Sequence, residues 1–462
     1  MPKVSVVITA HNYGKYLKQC LESTLNQNYD DYEVIVVNDG STDNTTEVLQ
    51  EYENRVKIIN LPGLGLAAAC NRGIAATSGE YIIRLDADDF FDENILLIEA
   101  DYLDDHQNVD LVYPDYYLVN EKGEIIEHVK QMKVGEELKL LYRNPLAAGA
   151  MFRKKKFKEL GGYIEKPGYT EDYDFWIRFA TKYKVANINL PLMYYRKHGK
   201  SMSSDHRWKT GAIRHVKEEF VKTKLSDMLK KIKILAIIPA RAESRIDGGK
   251  LALRSLNGKP LIAYTIEEAL KCRLLNRVVV STEDEEIAEV AKGYGAEVPF
   301  FRPKELSAEG VSVELVALHI LDRFKEKEKY VPDIIAILHV VSPLKKEYHI
   351  TEAINTMLIF NVDTVISATN NNSFHWRPGP HGLSPLFEKR LLKHEREILY
   401  EENGAIYVVK REVLEKTMNV IGKSVAHIEM LPSESIHVDS EFDFWMAEQI
   451  LKRELKLRSQ EG

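Results

Sequence analysis

The feature that most constrains the fold of this chain is the alternation of short apolar runs with helical patterns. In the first half, strand-like runs lie at Val4–Ala10, Glu33–Asn38, Val56–Asn60 and Tyr81–Asp86, and helical patterns lie at Tyr16–Asn26, Thr42–Tyr52 and Leu66–Thr77. Strands that alternate with helices are typical of a parallel sheet covered by helices on both faces. The first half is therefore predicted to fold as an α/β domain.

The same alternation begins again in the second half of the chain. Strand-like runs lie at Ile232–Ala240, Arg277–Ser281, Asp333–Val340 and Val362–Ala368, and helical patterns lie at Leu261–Lys271, Glu285–Tyr294, Val313–Lys325 and Ile350–Phe360. A length of 462 residues is enough for two or three domains, each with its own core. We predict two Rossmann-like α/β domains, which cover residues 1–205 and 232–462.

The segment 206–231 between them is predicted to be a helical linker. Apolar residues recur in it at helical spacing, at Ile213, Val216, Phe220, Val221, Leu225 and Met228. A connecting helix that packs against one domain is the favoured interpretation. Because Lys and Arg dominate the polar side, a helix that lies on a membrane surface is the alternative.

Charge and cysteine use exclude several classes of protein. The chain has 63 Lys and Arg against 70 Asp and Glu, a formal charge of −7, so no bulk attraction to nucleic acid is expected. Three widely spaced cysteines argue against a disulfide framework and a structural zinc site. No apolar run approaches the roughly 20 residues that cross a bilayer, and the first residues do not have the pattern of a signal peptide. A cytoplasmic location is expected, with contact to the inner membrane face only through the basic helix.

Acidic residues follow several strand-like runs of the first half. They include Asp39, the pair Asp86 and Asp88, and the pair Glu171 and Asp172. In open α/β sheets ligands bind at the carboxyl ends of the strands. In an extended segment Asp86 and Asp88 would point to the same face and could hold a divalent cation together with phosphate oxygens and water. A solvated turn or helix cap is the alternative for any one of these clusters.

Together, the order of these segments resembles glycosyltransferase family 2 over about the first 200 residues. The segments that carry the resemblance are VSVVITAHNYGKYLKQCLESTLNQ, VIVVNDGSTDNT, Asn71-Arg72-Gly73-Ile74, GEYIIRLDADD, TEDYDFW and MYYRKHGKSMS. The resemblance implies a GT-A fold. It also implies that a sugar is transferred, with inversion, from a UDP-, GDP- or dTDP-linked donor to a glycan acceptor.

Roles for individual residues follow from this resemblance. Asp39 would contact the donor base, Asp86 the ribose side, and Asn71 and Arg72 the nucleotide, while Asp88 and His198 would hold Mg²⁺ or Mn²⁺ at the diphosphate. Inversion needs a base that deprotonates the attacking acceptor hydroxyl. Asp172 is predicted to be that base, with Glu171 as the alternative.

The second half opens on a basic loop that contains glycine. After an apolar strand-like run, the loop carries Arg241, Arg245, Gly248, Gly249 and Lys250. Glycines allow the backbone to approach a phosphate, and Arg and Lys supply charge to it. The spacing does not match the GxxxxGK[ST] pattern of a P-loop. The loop is therefore predicted to bind a triphosphate in some other way.

Further segments of the second half resemble the cytidylyltransferases that activate sialic acid and related nonulosonic acids. These segments are VVVSTEDEEIAEVAKGYGAEVPFFRP, HVVSPLK, ENGAIYVVKREV and HVDSEFDFWMAE, across about residues 232–455. The resemblance implies that CTP and a nine-carbon keto acid are joined to give a CMP-sugar and pyrophosphate, with a divalent cation and a homodimer through this domain. The segment AESRIDGGKL also resembles the sequences of the enzymes that activate the eight-carbon acid Kdo.

By this second resemblance, Arg241 and Lys250 would hold the triphosphate with Arg245 nearby. Ser281 and Ser342 would lie near the nucleotide, Asn403 near the sugar, and Asp439 would bind the metal. The chain also departs from the family pattern: Glu243 replaces a glycine, His339, Val341 and Lys345 replace Gln, Thr and Arg, and His437 replaces the first metal-binding Asp.

The sequence thus favours a bifunctional enzyme of surface-glycan synthesis. The alternative is an active glycosyltransferase fused to a second domain that serves as a binding or scaffolding module, because the departures concentrate in that domain. A purely carbohydrate-binding protein would explain neither the Asp-Ala-Asp run nor the basic loop.

Overall fold

The computed structural model describes residues 1–131, 149–166, 170–198, 206–243, 249–371, 373–380, 382–387 and 399–458. The chain divides into two compact units, Met1–Val216 and Lys217–Gly462. The division falls inside a helix, His206–Lys224. Within the described ranges, no helix combines the length and the apolar character that spanning a bilayer requires.

The first unit contains nine described strands and six helices, and the helix at the division follows them. The strands are β1 (Val4–Ala10), β2 (Tyr32–Asp39), β3 (Lys57–Leu61), β4 (Tyr81–Asp86), β5 (Phe90–Phe91), β6 (Leu111–Val119), β7 (Ile125–Val129), β8 (Met151–Arg153) and β9 (Val185–Arg196). The helices are α1 (Gly14–Leu25), α2 (Thr45–Gln50), α3 (Leu66–Ala75), α4 (Ile95–Asp105), α5 (Lys154–Leu160), α6 (Glu171–Ala180) and α7 (His206–Lys224).

These strands form one sheet in the order β3-β2-β1-β4-β8-β6-β9-β5, with β7 paired to β6. Strands β3, β2, β1 and β4 are parallel, as predicted. The prediction of a parallel sheet is wrong beyond β4, because β8 joins β4 antiparallel and the sheet is mixed. The alternation of strands and helices that indicated parallel pairing ends at β4.

Strand β1 lies inside the sheet, and all seven of its residues are buried. Val4, Val6 and Ile8 belong to one apolar cluster and Val7 to another. Since successive strand side chains point to opposite faces, the two clusters cover the two faces of the sheet. A strand that is buried on both faces has a mostly apolar sequence, and in VSVVITA only Ser5 and Thr9 are polar.

The second unit contains ten described strands and seven helices besides the end of α7. The strands are β10 (Ile234–Pro239), β11 (Ser255–Leu256), β12 (Lys259–Pro260), β13 (Arg277–Ser281), β14 (Ile334–Leu338), β15 (Thr364–Asn371), β16 (Trp376–Gly379), β17 (Gly382–Pro385), β18 (Leu399–Lys410) and β19 (Val425–Glu429). The helices are α8 (Ser226–Leu229), α9 (Leu261–Lys271), α10 (Glu285–Gly293), α11 (Val313–Glu328), α12 (Glu347–Phe360), α13 (Arg411–Thr417) and α14 (Glu441–Arg458).

The main sheet of the second unit has the order β13-β10-β14-β18-β15-β19. Strands β13, β10 and β14 are parallel, whereas β18 is antiparallel to both of its neighbours. The prediction of a parallel sheet is therefore wrong here too, for a similar reason: β18 lies beyond the last strand-like run that the alternation identified.

Helix α12 is buried from His349 to Phe360, and α7 contributes to covering it. Lys217 of α7 is 4% exposed, and its Nζ donates hydrogen bonds of 3.0 Å to Glu352 Oε1 and to Thr356 Oγ1. Val216, Phe220 and Val221 of the predicted apolar face of α7 are buried, but Met228 in α8 is 43% exposed. The helix is thus anchored by a buried ion pair as well as by apolar contacts.

Candidate functional sites

Asp39 ends β2, at the carboxyl edge of the first sheet, and is 5% exposed. Its Oδ1 and Oδ2 accept hydrogen bonds of 2.7 Å from the backbone amides of Leu64 and Gly65. Gly40, the next residue, has a φ of +69° that favours glycine. In this arrangement, Asp39 holds the loop before α3 against the sheet.

Asp86 and Asp88 are arranged differently from the expectation. Strand β4 ends at Asp86, and the chain turns at once, with the Asp89 amide donating to the Asp86 carbonyl at 3.0 Å. The period-two argument therefore fails, because it requires an extended backbone through Asp88. The two carboxylates have different partners: Asp86 accepts hydrogen bonds from Thr9 and Arg84, whereas Asp88 lies beside His198.

Arg84 connects Asp86 to the acidic pair at the start of α6. Its Nη2 donates to both carboxylate oxygens of Asp86, at 2.9 and 3.0 Å, and its Nε donates to Oδ1 at 3.1 Å. Its Nη1 donates to Glu171 Oε1 at 3.3 Å. Burial, followed by the negative charge of Asp172, raises the pKa of Glu171 to about 7. Glu171 is 9% exposed, and Asp172 is less deeply buried.

The Asp174 side chain, two residues further along α6, is only 4% exposed and forms an ion pair with Arg178 at 2.5 Å. This pair joins successive turns of the helix. Asp174 therefore stabilises the helix and does not join Glu171 and Asp172 in the candidate site.

Strand β9 holds the turn that contains Asp88 and Asp89. The Arg196 amide donates to Asp89 Oδ1 at 2.7 Å, and Arg196 Nε donates to the Asp88 carbonyl at 2.7 Å. His198 Nε2 lies 3.0 Å from Asp88 Oδ2, and the two side chains are only 4% and 13% exposed. Burial, and then the charge of Asp86, raise the pKa of Asp88.

These residues fit a divalent cation in part. Within the described ranges, no three His, Cys, Asp or Glu side chains are grouped to bind a metal by themselves. Asp88 and His198 nevertheless supply an oxygen and a nitrogen side by side, where neighbouring carboxylates crowd negative charge. Mg²⁺ and Mn²⁺ commonly bind with one or two protein groups and take the remaining positions from phosphate oxygens and water.

Asn71 and Arg72 lie on α3 and contact the segment that follows α5. Asn71 Nδ2 donates to the Tyr163 carbonyl at 2.9 Å and to Glu165 Oε1 at 2.8 Å, and Arg72 Nη1 contacts Glu165 Oε1 at 3.2 Å. Asn71 Oδ1 also accepts a bond from the Tyr163 amide. These contacts position the segment that contains Tyr163 and Glu165. Contact of Asn71 and Arg72 with the nucleotide stays a prediction.

In the second unit, Arg241 and Ser281 follow neighbouring parallel strands. Ser281 ends β13, its backbone carbonyl accepts a hydrogen bond from the Ala240 amide, and its buried Oγ has no partner among the described residues. Lys250 contacts Asp284 Oδ2 at 2.7 Å and Glu286 Oε2 at 2.8 Å. Arg245 lies outside the described residues.

A cavity of about 450 Å³ in the second unit brings together Asn403, His437 and Asp439. Asn403 is held by Ser367 Oγ, which donates to its Oδ1 at 2.6 Å, and by Ser435 Oγ, which accepts from its Nδ2 at 2.9 Å. His437 Nδ1 lies 3.3 Å from Ser342 Oγ, and His437 Nε2 lies 3.4 Å from Asp439 Oδ1. Predicted sugar, nucleotide and metal residues thus share one region.

Beneath this region Lys345 is fully buried. Its Nζ donates to the carbonyl oxygens of His339 and Ser342, both at 2.6 Å, and to Thr265 Oγ1 at 2.9 Å. Burial lowers the pKa of Lys345 to about 7. Burial and the charge of Lys345 lower the pKa of His339 to about 4. Lys345 therefore fixes the turn that presents Ser342 to His437.

Two residues of these sites, Arg84 and Arg196, were not identified from the sequence. Arg84 interrupts the apolar run YIIRLD, and Arg196 follows the apolar run LMYY at the end of β9. A charged residue within or directly after a buried apolar run is unusual unless it is paired. The position of each arginine in the sequence could therefore have indicated a buried cation with an acidic partner.

Comparison with known proteins supports both sequence resemblances. Residues 5–162 match the glycosyl transferase family 2, and residues 235–450 match the cytidylyltransferase family. An uncharacterized glycosyltransferase of Methanocaldococcus jannaschii is 34% identical over 206 residues, which are 42% of this chain and 71% of that protein. The chain belongs to glycosyl transferase family 2. Its second unit contains a cytidylyltransferase domain.

The cytidylyltransferase domain is similar to the N-acylneuraminate cytidylyltransferase of Escherichia coli O18:K1:H7, with 32% identity over 222 residues, 46% of this chain and 51% of that protein. The crystal structure of S. aureus TarS in complex with UDP-GlcNAc aligns with 49% of this chain and 69% of that chain, at 23% identity and a TM-score of 0.42. The chain spans only about two fifths to half of the length of several curated relatives that it matches.

Proposed function

We propose that this family 2 glycosyltransferase is a bifunctional enzyme of surface-glycan synthesis. Its first unit would transfer a sugar, with inversion, from a UDP-, GDP- or dTDP-linked donor to a glycan acceptor. Its second unit would join CTP to a sialic-acid-like nonulosonic acid and release pyrophosphate. The observation that carries the first activity is the contact of Arg84 with both Asp86 and Glu171, since it joins the predicted donor and acceptor carboxylates in one site.

In the first unit, Asp172 takes the proton of the acceptor hydroxyl while its oxygen attacks the anomeric carbon of the donor. The bond between that carbon and the donor phosphate oxygen breaks, and the nucleoside diphosphate leaves on the opposite face. Asp88 and His198 would hold a divalent cation, which would supply positive charge to neutralise the departing diphosphate. Asp39 and Asp86 lie on the donor side at the strand ends.

Asp172 is a better base than Glu171 in this arrangement. Glu171 is 9% exposed, and its Oε1 already accepts a hydrogen bond from Arg84. Asp172 is the more accessible of the two, at the N-terminal turn of α6. A general base must reach the proton that it removes, so accessibility decides between them.

The test of the first activity is the variant Asp172→Asn. We expect turnover to fall about 10²- to 10⁴-fold, because the base is lost, with donor affinity unchanged. Transfer is measured as nucleoside diphosphate release with a panel of donors, and affinity by calorimetry with UDP and Mn²⁺. Glu159→Gln, a surface carboxylate bonded to Tyr183, is the matched control. Wild-type turnover in Asp172→Asn would refute the assignment.

In the second unit, the anomeric hydroxyl of the keto acid attacks the α-phosphorus of CTP, and pyrophosphate leaves. Catalysis of this step needs positioning and neutralisation of charge more than covalent chemistry. Arg241 and Lys250 would hold the triphosphate, Ser281 and Ser342 the nucleotide, and Asn403 the sugar. Asp439 would hold the divalent cation. A homodimer through this unit belongs to the same proposal.

The second candidate function for this unit is binding or scaffolding without catalysis. The observation that favours it is the contact of Lys250 with Asp284 and Glu286, because two carboxylates already neutralise the charge that a triphosphate would need. A third candidate keeps catalysis but takes the eight-carbon acid Kdo in place of a nonulosonic acid.

Pyrophosphate release distinguishes these candidates. We expect release with CTP, Mg²⁺ or Mn²⁺ and a nine-carbon keto acid, and less with Kdo. The Asn403→Ala variant should lose activity at least about tenfold, because the contact with the sugar is lost, while CTP affinity by calorimetry stays the same. CTP binding without pyrophosphate release from any acid would support the scaffold. Release only with Kdo would support the third candidate.

A further inference from the structure

We propose that Arg84 is a positioning residue for glycosyl transfer, which ties the donor-side carboxylate Asp86 to Glu171 beside the base. This inference rests on the proposed transfer reaction and adds a residue that neither the family resemblance nor the motifs identified. Arg84 would not touch the substrate. It would act by holding two carboxylates of the site in one arrangement.

Strand register places Arg84 where it can make these contacts. Arg84 pairs with Val7 and Asp86 pairs with Thr9, so the two residues lie on the same face of β4, two positions apart. Thr9 Oγ1 donates to Asp86 Oδ1 at 3.0 Å and completes the support of this carboxylate. The guanidinium therefore stays beside Asp86 because of backbone pairing, not because of a mobile loop.

The bonding pattern uses the fixed geometry of a guanidinium. Nε and Nη2 face Asp86, and Nη1 points the other way to Glu171 Oε1 at 3.3 Å. A planar fork can serve two carboxylates in different directions, whereas the ammonium of a lysine is a compact charge on a flexible stem. Arg84 is 8% exposed, and its guanidinium carbon lies 5.9 Å from the centre of the Tyr163 ring. Burial and this neighbour limit its rotamers.

The charges of these residues also indicate that Arg84 holds the site together. Asp86 and Glu171 place two carboxyl groups on one buried cation, and Asp172 lies next to Glu171. Removing one partner from a buried ion pair leaves the other uncompensated, which is costly. Without Arg84, Asp86 and Glu171 would lose the cation that holds them together, and Asp172 would lose its fixed neighbour Glu171. Loss of Arg84 should therefore affect both donor binding and turnover.

The experiment compares four full-length proteins: wild type, Arg84→Met, Glu171→Gln and the double variant. We expect Arg84→Met to lower kcat at least tenfold and to raise the donor KM at least threefold. We expect Glu171→Gln to change kcat with little effect on the donor KM, because Glu171 lies on the acceptor side. The double variant should lose less than the product of the single losses, by at least about threefold, since both changes break one contact.

Arg84→Lys guards against a variant that fails to fold. It keeps the charge but not the fork, so we expect an intermediate kcat with a thermal midpoint close to that of the wild type. Losses in Arg84→Met and Glu171→Gln that simply multiply, or wild-type kcat and KM in a folded Arg84→Met, would overturn the proposal.

A nucleotide-binding measurement separates this inference from the transfer reaction. If the wild type binds UDP with Mn²⁺ but transfers no sugar from any donor, the proposed function fails. UDP affinities of the same proteins then decide the role of Arg84: weaker binding in Arg84→Met that Arg84→Lys partly restores supports it, and equal affinities refute it.

Discussion

Lys345 shows how one buried side chain can make a site sensitive to pH. Its three hydrogen bonds, to Thr265, His339 and Ser342, match the three N–H groups of an ammonium, whereas a neutral amine has only two. Burial works in the opposite direction and lowers its pKa from 10.5 to about 7. The turn that carries Ser342 is therefore held by a group that titrates near neutrality.

This shift predicts a slope of stability with pH. Between about pH 7 and 10.5 the unfolded chain binds a proton at Lys345 that the folded chain has released, so the free energy of unfolding rises with pH in this window. One such group contributes at most about 1.4 kcal/mol per pH unit. In Lys345→Met this contribution should vanish. Urea denaturation of the full chain at pH 7, 8, 9 and 10 measures it.

Lys271→Met is the matched control, because Lys271 lies on the nearby helix α9 with its side chain 59% exposed. Its slope should equal that of the wild type. If Lys345→Met and Lys271→Met gave the same slope, Lys345 would not be the titrating group.

At this scale, the structure brings together several residues that the sequence singled out, and their roles stay predictions. Asp88 and His198 lie together as the resemblance implied, and Asn403 and Asp439 line one cavity. Arg84 was missed because its role depends on Glu171, which is 87 residues away. The common orientation of Asp86 and Asp88 was wrong because the end of a strand cannot be read to the residue from an apolar pattern.

At the scale of single elements, helix α7 has a buried charge within its apolar face, because Lys217 lies four residues from both Ile213 and Val221. Lys217 pairs with Glu352 at 3.0 Å, and both residues are about 5% exposed or less. A buried ion pair is a weak source of net stability, but removing one partner leaves the other charge buried without compensation.

We therefore predict that Lys217→Met destabilises the second unit by about 3–5 kcal/mol. Lys222→Met is the control on the same helix: its pair with Glu218 is exposed, and such a pair contributes about 0–1 kcal/mol. Denaturant unfolding followed by circular dichroism measures both. A similar, small effect of the two substitutions would contradict a buried pair.

The bounds of the elements show what the sequence could predict. Val4–Ala10, Tyr81–Asp86, Leu261–Lys271 and Arg277–Ser281 agree with the predictions to the residue. These elements have strong apolar periodicity and clear ends. The predicted helix Thr42–Tyr52 is shorter, at Thr45–Gln50. The Asp43 carboxylate accepts hydrogen bonds from the amide and Oγ1 of Thr45, the first residue of the helix, and from the Gly14 amide, so Asp43 itself lies outside the helix and bonds its start.

Strands β5 to β9 were not predicted, although they are five of the nine described strands of the first sheet. Their residues alternate between buried and exposed environments less regularly, as in LVYPDYYLV of β6, which contains Pro114 and has two irregularities in its pairing with β9. Pairing of this kind is decided by the neighbouring strand rather than by local sequence. The mixed character of the first sheet follows from these unrecognised strands, as that of the second sheet follows from β18.

At the scale of the whole molecule, the order of motifs carried more information than their composition. Both family assignments made from the sequence are confirmed. The net charge of −7 said little about the sites, because local groups such as Arg84 and Lys250 decide the charge around a ligand. Tertiary contacts between distant residues, which no local pattern encodes, account for most of what the sequence did not predict.

The central position of β1 also has a consequence for synthesis on the ribosome. Thr9 of β1 bonds Asp86 at the end of β4, 77 residues later. At about 5–20 residues per second, a nascent chain waits roughly 4–15 s after β1 emerges before that neighbour is made. During this delay the edge of β1 that pairs with β4 stays open, even after β2 has paired with the other edge, so we expect VSVVITA to bind chaperones that recognise extended apolar segments.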